Sequence, residues 1–322
     1  MNIIKPRKLN KGDTIGIISL SGCIRNEENI YNAKKYFEKR GFNVILSENI
    51  FDKKRYLAGE DDTKVQQLKE FFESPDINAI LCARGGYGAI RIINKIDYKS
   101  IKNNPKIFAG YSDITALSAM ILKKTGLITF SSPMAKGDFG SEKVSRITSS
   151  NFFKTLSKNG ICEIEPQSAK VYKSGCADGI LFGGNLATIT SLCGIDFIPD
   201  EKFIFFAEDL MEDTYKIDKM FTQLLNIPKF RENLSGIILG DFLDVKNKKN
   251  LEELFEEIAH NIKKPVIGGY RITHGKHKIT VPIGVMAHLD TSSGKVLLNE
   301  YLSYTTRYCK SGFACSPYIF AF

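Results

Sequence analysis

Hydrophobic and polar positions alternate in blocks along the first half of this 322-residue chain. Short apolar runs at 14–20, 43–46, 79–83 and 107–111 have the length and composition of buried strands. Between them, 27–40, 61–73, 87–96 and 114–124 space their apolar residues as helices do, with Asp61 and Asp62 near the positive end of the second helix. Strands alternating with helices of this length pair in parallel and form an α/β layer. Ligands of such sheets collect beyond the carboxyl ends of the strands, where the residues just after Ala83 and Tyr111 fall.

The pattern turns polar and irregular over 158–178, which reads as a crossover linker. Beyond it, Gly183-Gly-Asn-Leu186 leads into a helix, followed by a strongly apolar strand at 202–207. A helix at 214–225, a strand at 236–239, a helix at 251–262 and strands at 265–268 and 281–284 complete the series. The expected fold class is α/β. A parallel-sheet domain spans 1–157, a smaller α/β domain spans 179–322, and the site lies at their junction.

Composition narrows the setting. The chain is 43% hydrophobic, enough for substantial cores, and its formal net charge is +9. Its lysines are spread over most helices and loops and no nucleic-acid motif accompanies them, so the charge describes a basic surface, one also suited to an acidic substrate. The basic start is followed by no apolar run of signal length, and no stretch approaches the ~20 apolar residues of a membrane helix. Seven scattered cysteines without a C-x-x-C pair fit a reducing, cytoplasmic setting.

Four fragments carry candidate chemistry. In Gly110-Tyr-Ser-Asp-Ile-Thr115 a strand ends, Ser112 follows and a helix begins at once, which presents a hydroxyl beside helix N-terminal amides. Ile114 stands where a G-x-S-x-G elbow has its second glycine, and Ser112 or Asp113 as a simple helix cap is the competing reading. Ala83-Arg-Gly-Gly-Tyr-Gly88 is a glycine turn whose amides suit an oxyanion hole; a phosphate loop or an ordinary tight turn are the alternatives. In Phe205-Phe-Ala-Glu-Asp-Leu210 two carboxylates end a very apolar strand, where burial demands a partner such as a histidine, a lysine or a capped helix. Thr273-His-Gly-Lys-His277 holds two of the four histidines; His274 suits a general base, and a metal pair with His277 lacks a third ligand.

Together with Tyr56-Leu-Ala-Gly59, Asn104-Pro-Lys-Ile-Phe-Ala-Gly110, Gly183-Gly-Asn-Leu186 and Glu208-Asp209, these fragments resemble the LD-carboxypeptidase family from about residue 5 to 298. That family comprises murein tetrapeptide carboxypeptidases and the related microcin C immunity peptidases. The resemblance implies a nucleophilic Ser112, with Glu208 and His274 completing a triad; the family histidine precedes a Pro-Ile-Gly element as His274 precedes Pro282-Ile-Gly284. Two departures stand out: Thr273-His274 where the family usually has Gly-His, and Ser131-Ser-Pro-Met134 where it has His-Gly-Pro-Met. The aromatic stretch 301–322 lies beyond the resemblance.

Residues and resemblance together imply acyl transfer. Ser112 attacks, His274 takes its proton, Glu208 orients the imidazole, and amides near Gly86 and of Asp113 hold the oxyanion. Arg84 or its neighbouring amides receive the substrate anion, unless a structural ion pair occupies the guanidinium. The expected substrate is a murein tetrapeptide losing its terminal D-Ala in peptidoglycan recycling. The alternatives are a microcin-immunity-like peptidase acting on aminoacyl-nucleotide analogues and a non-catalytic peptide or nucleotide binder of the same fold. No metal, organic cofactor, nucleic acid or membrane is expected as a partner, and the assembly expected is a homodimer.

Overall fold

All four residues of Ala79–Cys82 are buried, as a strand covered on both faces requires. In the computed structural model, which describes residues 2–157 and 160–303, this run lies in the middle of a six-stranded sheet. Residues 304–322 of the aromatic stretch lie outside the described residues. The first half runs β1 (Thr14–Ile18), α1 (Glu28–Glu38), β2 (Asn43–Leu46), α2 (Asp61–Glu73), β3 (Ala79–Cys82), α3 (Tyr98–Asn103), β4 (Ile107–Ala109), α4 (Thr115–Thr125), β5 (Thr129–Ser131) and α5 (Arg146–Leu156). The second half adds β6 (Glu163–Ile164), β7 (Lys170–Lys173), β8 (Cys176–Asn185), α6 (Leu186–Thr190), β9 (Phe203–Leu210), α7 (Thr214–Leu225), α8 (Pro228–Asn233) and β10 (Leu234–Leu243). It closes with α9 (Lys248–Ile262), β11 (Val266–Gly268), β12 (Val281–Ile283), β13 (Met286–Asp290) and β14 (Lys295–Leu298).

The first sheet has the order β12-β5-β4-β3-β1-β2, parallel throughout except for β12, which pairs antiparallel with β5. The second has eight strands in the order β6-β14-β13-β8-β9-β10-β11-β7. Its centre, β8 to β11, is parallel, and antiparallel strands flank it on both sides. The α/β class with a parallel N-terminal sheet is therefore as the sequence indicates. Three local expectations differ. The polar stretch 158–178 is not simply a linker, because β6 and β7 within it form the two outer edges of the second sheet. In β7 Lys170, Val171 and Lys173 are exposed, which suits an edge, where one side of the strand meets water. The helix expected over 87–96 is only a 3₁₀ turn at Ala89–Arg91, whose first amide, that of Ala89, donates to the Asp113 carboxylate. The strand at 281–284 belongs to the first sheet, not the second.

Helix α4 lacks a polar face: Thr115 to Leu122 are all buried. It is enclosed because it packs on β5 on one side and on β8 and α6 on the other. That position lets Thr115 reach the second sheet, where its hydroxyl accepts the Asn185 amide at 3.2 Å. Gly184 makes the approach possible. Its φ is +146°, and a Cβ there would lie 2.5 Å from Thr115 Cγ2. Replacing Gly184 with alanine should therefore destabilise the protein by about 2–4 kcal/mol through strain and overpacking. Urea denaturation reads this directly, and an unchanged midpoint would show that the two layers are not held at this contact.

Candidate active site

Strand β4 ends against β5, with the Gly110 amide donating to the Phe130 carbonyl at 3.0 Å, and the chain then turns into a 3₁₀ segment at Ser112–Ile114. Ser112 sits at the turn with φ 63°, a left-handed conformation that a non-glycine residue holds at a cost of about 1–3 kcal/mol. Its side chain lies against Gly85: a Cβ on that glycine would be 2.7 Å from Ser112 Cβ. Neither Ser112 nor Asp113 caps a helix with its side chain. Asp113 instead accepts from the Ser21 hydroxyl and, at 2.8 Å, from the Ala89 amide. It thereby clasps the loop after β1 and the glycine turn after β3 around the serine. Burial pushes its carboxyl above the usual range, against the lowering effect of those donors and of Lys64. Among the described residues, the Gly86 and Asp113 N–H groups have no internal acceptor.

The two carboxylates that end β9 take different partners. Asp209 accepts from Asn185 Nδ2 and from the Ala187 amide, both at 2.8 Å, so it closes the start of α6. Burial raises its carboxyl, and the negative charge of Glu208 adds to that after the hydrogen bonds have opposed it. Glu208, 3% exposed, receives His274 Nδ1 on Oε2 at 2.7 Å. This fixes the ring so that Nε2 is the nitrogen left for chemistry. Thr273, in place of the family's usual glycine, uses its hydroxyl to accept the Gly275 amide at 2.8 Å and stiffens the histidine loop. The same loop is fastened to α5: Lys278 N donates to Thr148 Oγ1 at 3.1 Å, and Thr280 N to Asn151 Oδ1 at 2.7 Å.

The serine follows a strand of the first sheet, the glutamate lies on the second, and the histidine is on the connection from β11 to β12 that passes between them. The Tyr111 ring meets the His274 ring edge-on at 4.9 Å. Both residues line a cleft of about 700 Å³ with Asn29, Gly137 and Lys278. No hydrogen bond joins Ser112 Oγ to the imidazole; such contacts commonly lengthen when substrate is absent. Arg84 makes no ion pair among the described residues. Its Nη1 donates to the Cys23 carbonyl at 2.8 Å and its Nε to the Gly85 carbonyl at 3.0 Å, bracing the glycine turn. His277 bonds to Ser145 Oγ at 2.8 Å, and no group of three or more metal-ligating side chains exists among the described residues.

Sequence reasoning missed Tyr111, Asp138 and Lys278. Lys278 Nζ pairs with Asp138, donates to the Tyr111 hydroxyl at 3.3 Å and lies over the Tyr111 ring at 4.6 Å from its centre. Burial first, then the carboxylates of Asp138 and Glu208, push the Tyr111 phenol well above its ordinary value, so it stays protonated. The available signal was the position of Lys278 in the histidine loop and of Tyr111 beside the serine. With side chains 5% and 7% exposed, Lys278 and Asp138 form a buried pair. Lys278→Met should cost about 3–5 kcal/mol by leaving Asp138 charged and unpaired, and adding Asp138→Leu should restore most of it. Urea melts of the two variants check this; equal losses in both would mean that the pair is not what stabilises the wall.

Residues 15–132 match the LD-carboxypeptidase N-terminal domain and residues 178–289 the LD-carboxypeptidase C-terminal domain. The chain is 35% identical over 308 residues to the probable murein peptide carboxypeptidase of Bacillus subtilis (strain 168), covering 93% of this chain and 95% of that one. It is 29% identical over 329 residues to the microcin C7 self-immunity protein MccF of Escherichia coli, covering 91% and 95%. The solved muramoyltetrapeptide carboxypeptidase of Oxalobacter formigenes superposes with a TM-score of 0.78 at 25% identity, over 90% of this chain and all of that one. Two family domains in order, joined by a relative at more than a third identity, place this chain in the LD-carboxypeptidase family of serine peptidases.

Proposed function

We propose that this protein is an LD-carboxypeptidase that releases the terminal D-alanine from murein tetrapeptides during peptidoglycan recycling, with Ser112, Glu208 and His274 as its triad. The observation that carries this reading is the 2.7 Å contact between His274 Nδ1 and Glu208, which leaves Nε2 uncommitted on a ring lining a cleft shared with Tyr111, the residue next to Ser112. Ser112 Oγ attacks the carbonyl carbon of the scissile amide while Nε2 takes its proton. The resulting oxyanion is received by the Gly86 and Asp113 amides, each worth about 3–4 kcal/mol to the transition state. Collapse expels the amine of D-alanine, which takes the proton back from the imidazolium and leaves an ester on Ser112. Water, deprotonated by His274, then hydrolyses that ester. Glu208 keeps one tautomer and offsets the positive charge that appears on the ring twice per cycle.

A second reading, cleavage of an aminoacyl-nucleotide analogue, draws on the relative named for microcin C7 immunity. It is favoured by Tyr56 and Tyr87, exposed and 5.8 Å apart between ring centres beside the glycine turn, since exposed aromatic faces accept bases by stacking.

Purified muropeptides incubated with the enzyme and analysed by mass spectrometry separate these readings. Loss of one D-alanine from the tetrapeptide is expected, and turnover only of an aminoacyl-sulfamoyl nucleoside would favour the second. Ser112→Ala should lower kcat about 10⁶-fold and Glu208→Gln about 10⁴-fold. Turnover should persist in strong chelators because no step calls on a Lewis acid; recovery by zinc of activity lost to a chelator would overturn the scheme.

A further inference from the structure

The turn that sets Gly85 against Ser112 also gathers three cations that the acyl-transfer steps leave unused. The Arg84 guanidinium, by donating to the Cys23 carbonyl at 2.8 Å, draws the segment ending in Arg25 onto the glycine turn. From the other side, the Lys136 amide donates to the Ala83 carbonyl at 2.8 Å, which seats Lys136 beside Arg84. Asn29 holds that position by donating from Nδ2 to the Lys136 carbonyl at 3.3 Å. Among the described residues, no carboxylate pairs with Arg25, Arg84 or Lys136, although most other buried or half-buried charges here have a partner. The Lys136 ammonium is accordingly held below the usual lysine range, first by burial and then by repulsion from Arg84 and Arg25. Like charges brought together without a counter-ion are unfavourable until an anion arrives.

The place is as informative as the charge. Gly85, next to Arg84, is in contact with the Ser112 side chain, and Gly137, next to Lys136, lines the cleft of about 700 Å³ that also holds His274. A substrate whose scissile carbonyl lies at Ser112 carries its C-terminal carboxylate only one residue further, about 3.8 Å along the chain. Arg84 is held rigid by its two backbone carbonyls, whereas Lys136 is half-buried and Arg25 exposed, so both are free to close on an anion.

We propose that Arg25, Arg84 and Lys136 form the subsite that receives the α-carboxylate of the departing C-terminal residue and so restrict the enzyme to chain ends. The proposal rests on Ser112 as nucleophile. It moves the discriminating role from Arg84 alone, much of whose guanidinium is committed to the fold, to the three charges together, with Lys136 as its centre.

The test compares wild type, Lys136→Met, Arg25→Met and the double variant on a free-acid tetrapeptide and on the same peptide with a C-terminal amide. Ser112 labelling by a fluorophosphonate probe is followed in each. Wild type should prefer the free acid, and each lost charge should reduce that preference about tenfold, mainly through KM for the acid. Normal labelling in the variants shows that the nucleophile and its turn are intact. An acid-to-amide ratio unchanged in all three variants, with labelling normal, overturns the subsite. Absence of labelling in the wild type instead overturns the assignment of Ser112, and the subsite with it. Arg25 is exposed, so its variant tests the idea even if Lys136→Met folds poorly.

Discussion

A serine at φ 63° stores backbone strain, and the structure around Ser112 holds that conformation from several sides at once. Behind it, Gly85 offers a surface without a side chain. The next residue, Asp113, ties the ends of two neighbouring strands to the turn through Ser21 and Ala89. Two residues further, Thr115 fixes the start of α4 to the second sheet. The strain therefore cannot relax without disturbing three loops and a helix. The turn at Ser112, the candidate oxyanion amides and the braced glycine turn are consequences of that single arrangement.

Charge is distributed with comparable economy. Three carboxylates, Asp113, Glu208 and Asp209, are almost fully withdrawn from water within a short distance of the cleft. Two of them are stabilised by donors that never change, backbone amides and an Asn or Ser side chain, and they serve geometry. Only Glu208 faces a group able to gain and lose a proton. Burial amplifies every interaction among them, because the surroundings respond weakly to charge. Lys278 and Asp138 extend the same logic to the wall behind the imidazole, where a paired charge sets the position of Tyr111.

Much of this was legible in the residues. The alternation of apolar strands and helices gave the α/β class, because parallel strands buried on both faces must be largely apolar, as β3 and the Phe203–Ala207 part of β9 are. Ser112, Glu208 and His274 stood out as polar groups at apolar strand ends or in a histidine-bearing loop. What failed to show was the pairing of distant segments. β6 and β7 are short, polar and marginal, so nothing in their pattern marks them as strands until β14 and β11 supply the other half of each ladder. The 87–96 segment had helical spacing, but only a 3₁₀ turn at Ala89–Arg91 forms there, packed against the Ser112 turn by the Asp113 carboxylate. Lys278 was hidden for a related reason, since a lysine in a polar loop looks solvated until Asp138, 140 positions earlier, is placed against it.

The strand β12 carries an implication of its own for how the molecule matures. It completes the first sheet by pairing residues 281–283 with 129–131, across about half of the chain. During synthesis the N-terminal layer is therefore left with an open edge at β5 until nearly everything else has been made. Closing so long a loop is slow relative to local pairing. The step that closes that edge also draws the 274–280 loop onto α5 and brings the imidazole to its place. A chain still emerging thus has Ser112 on its turn but not yet His274 beside Glu208, and the candidate site is assembled with the last seam of the fold rather than with the first domain.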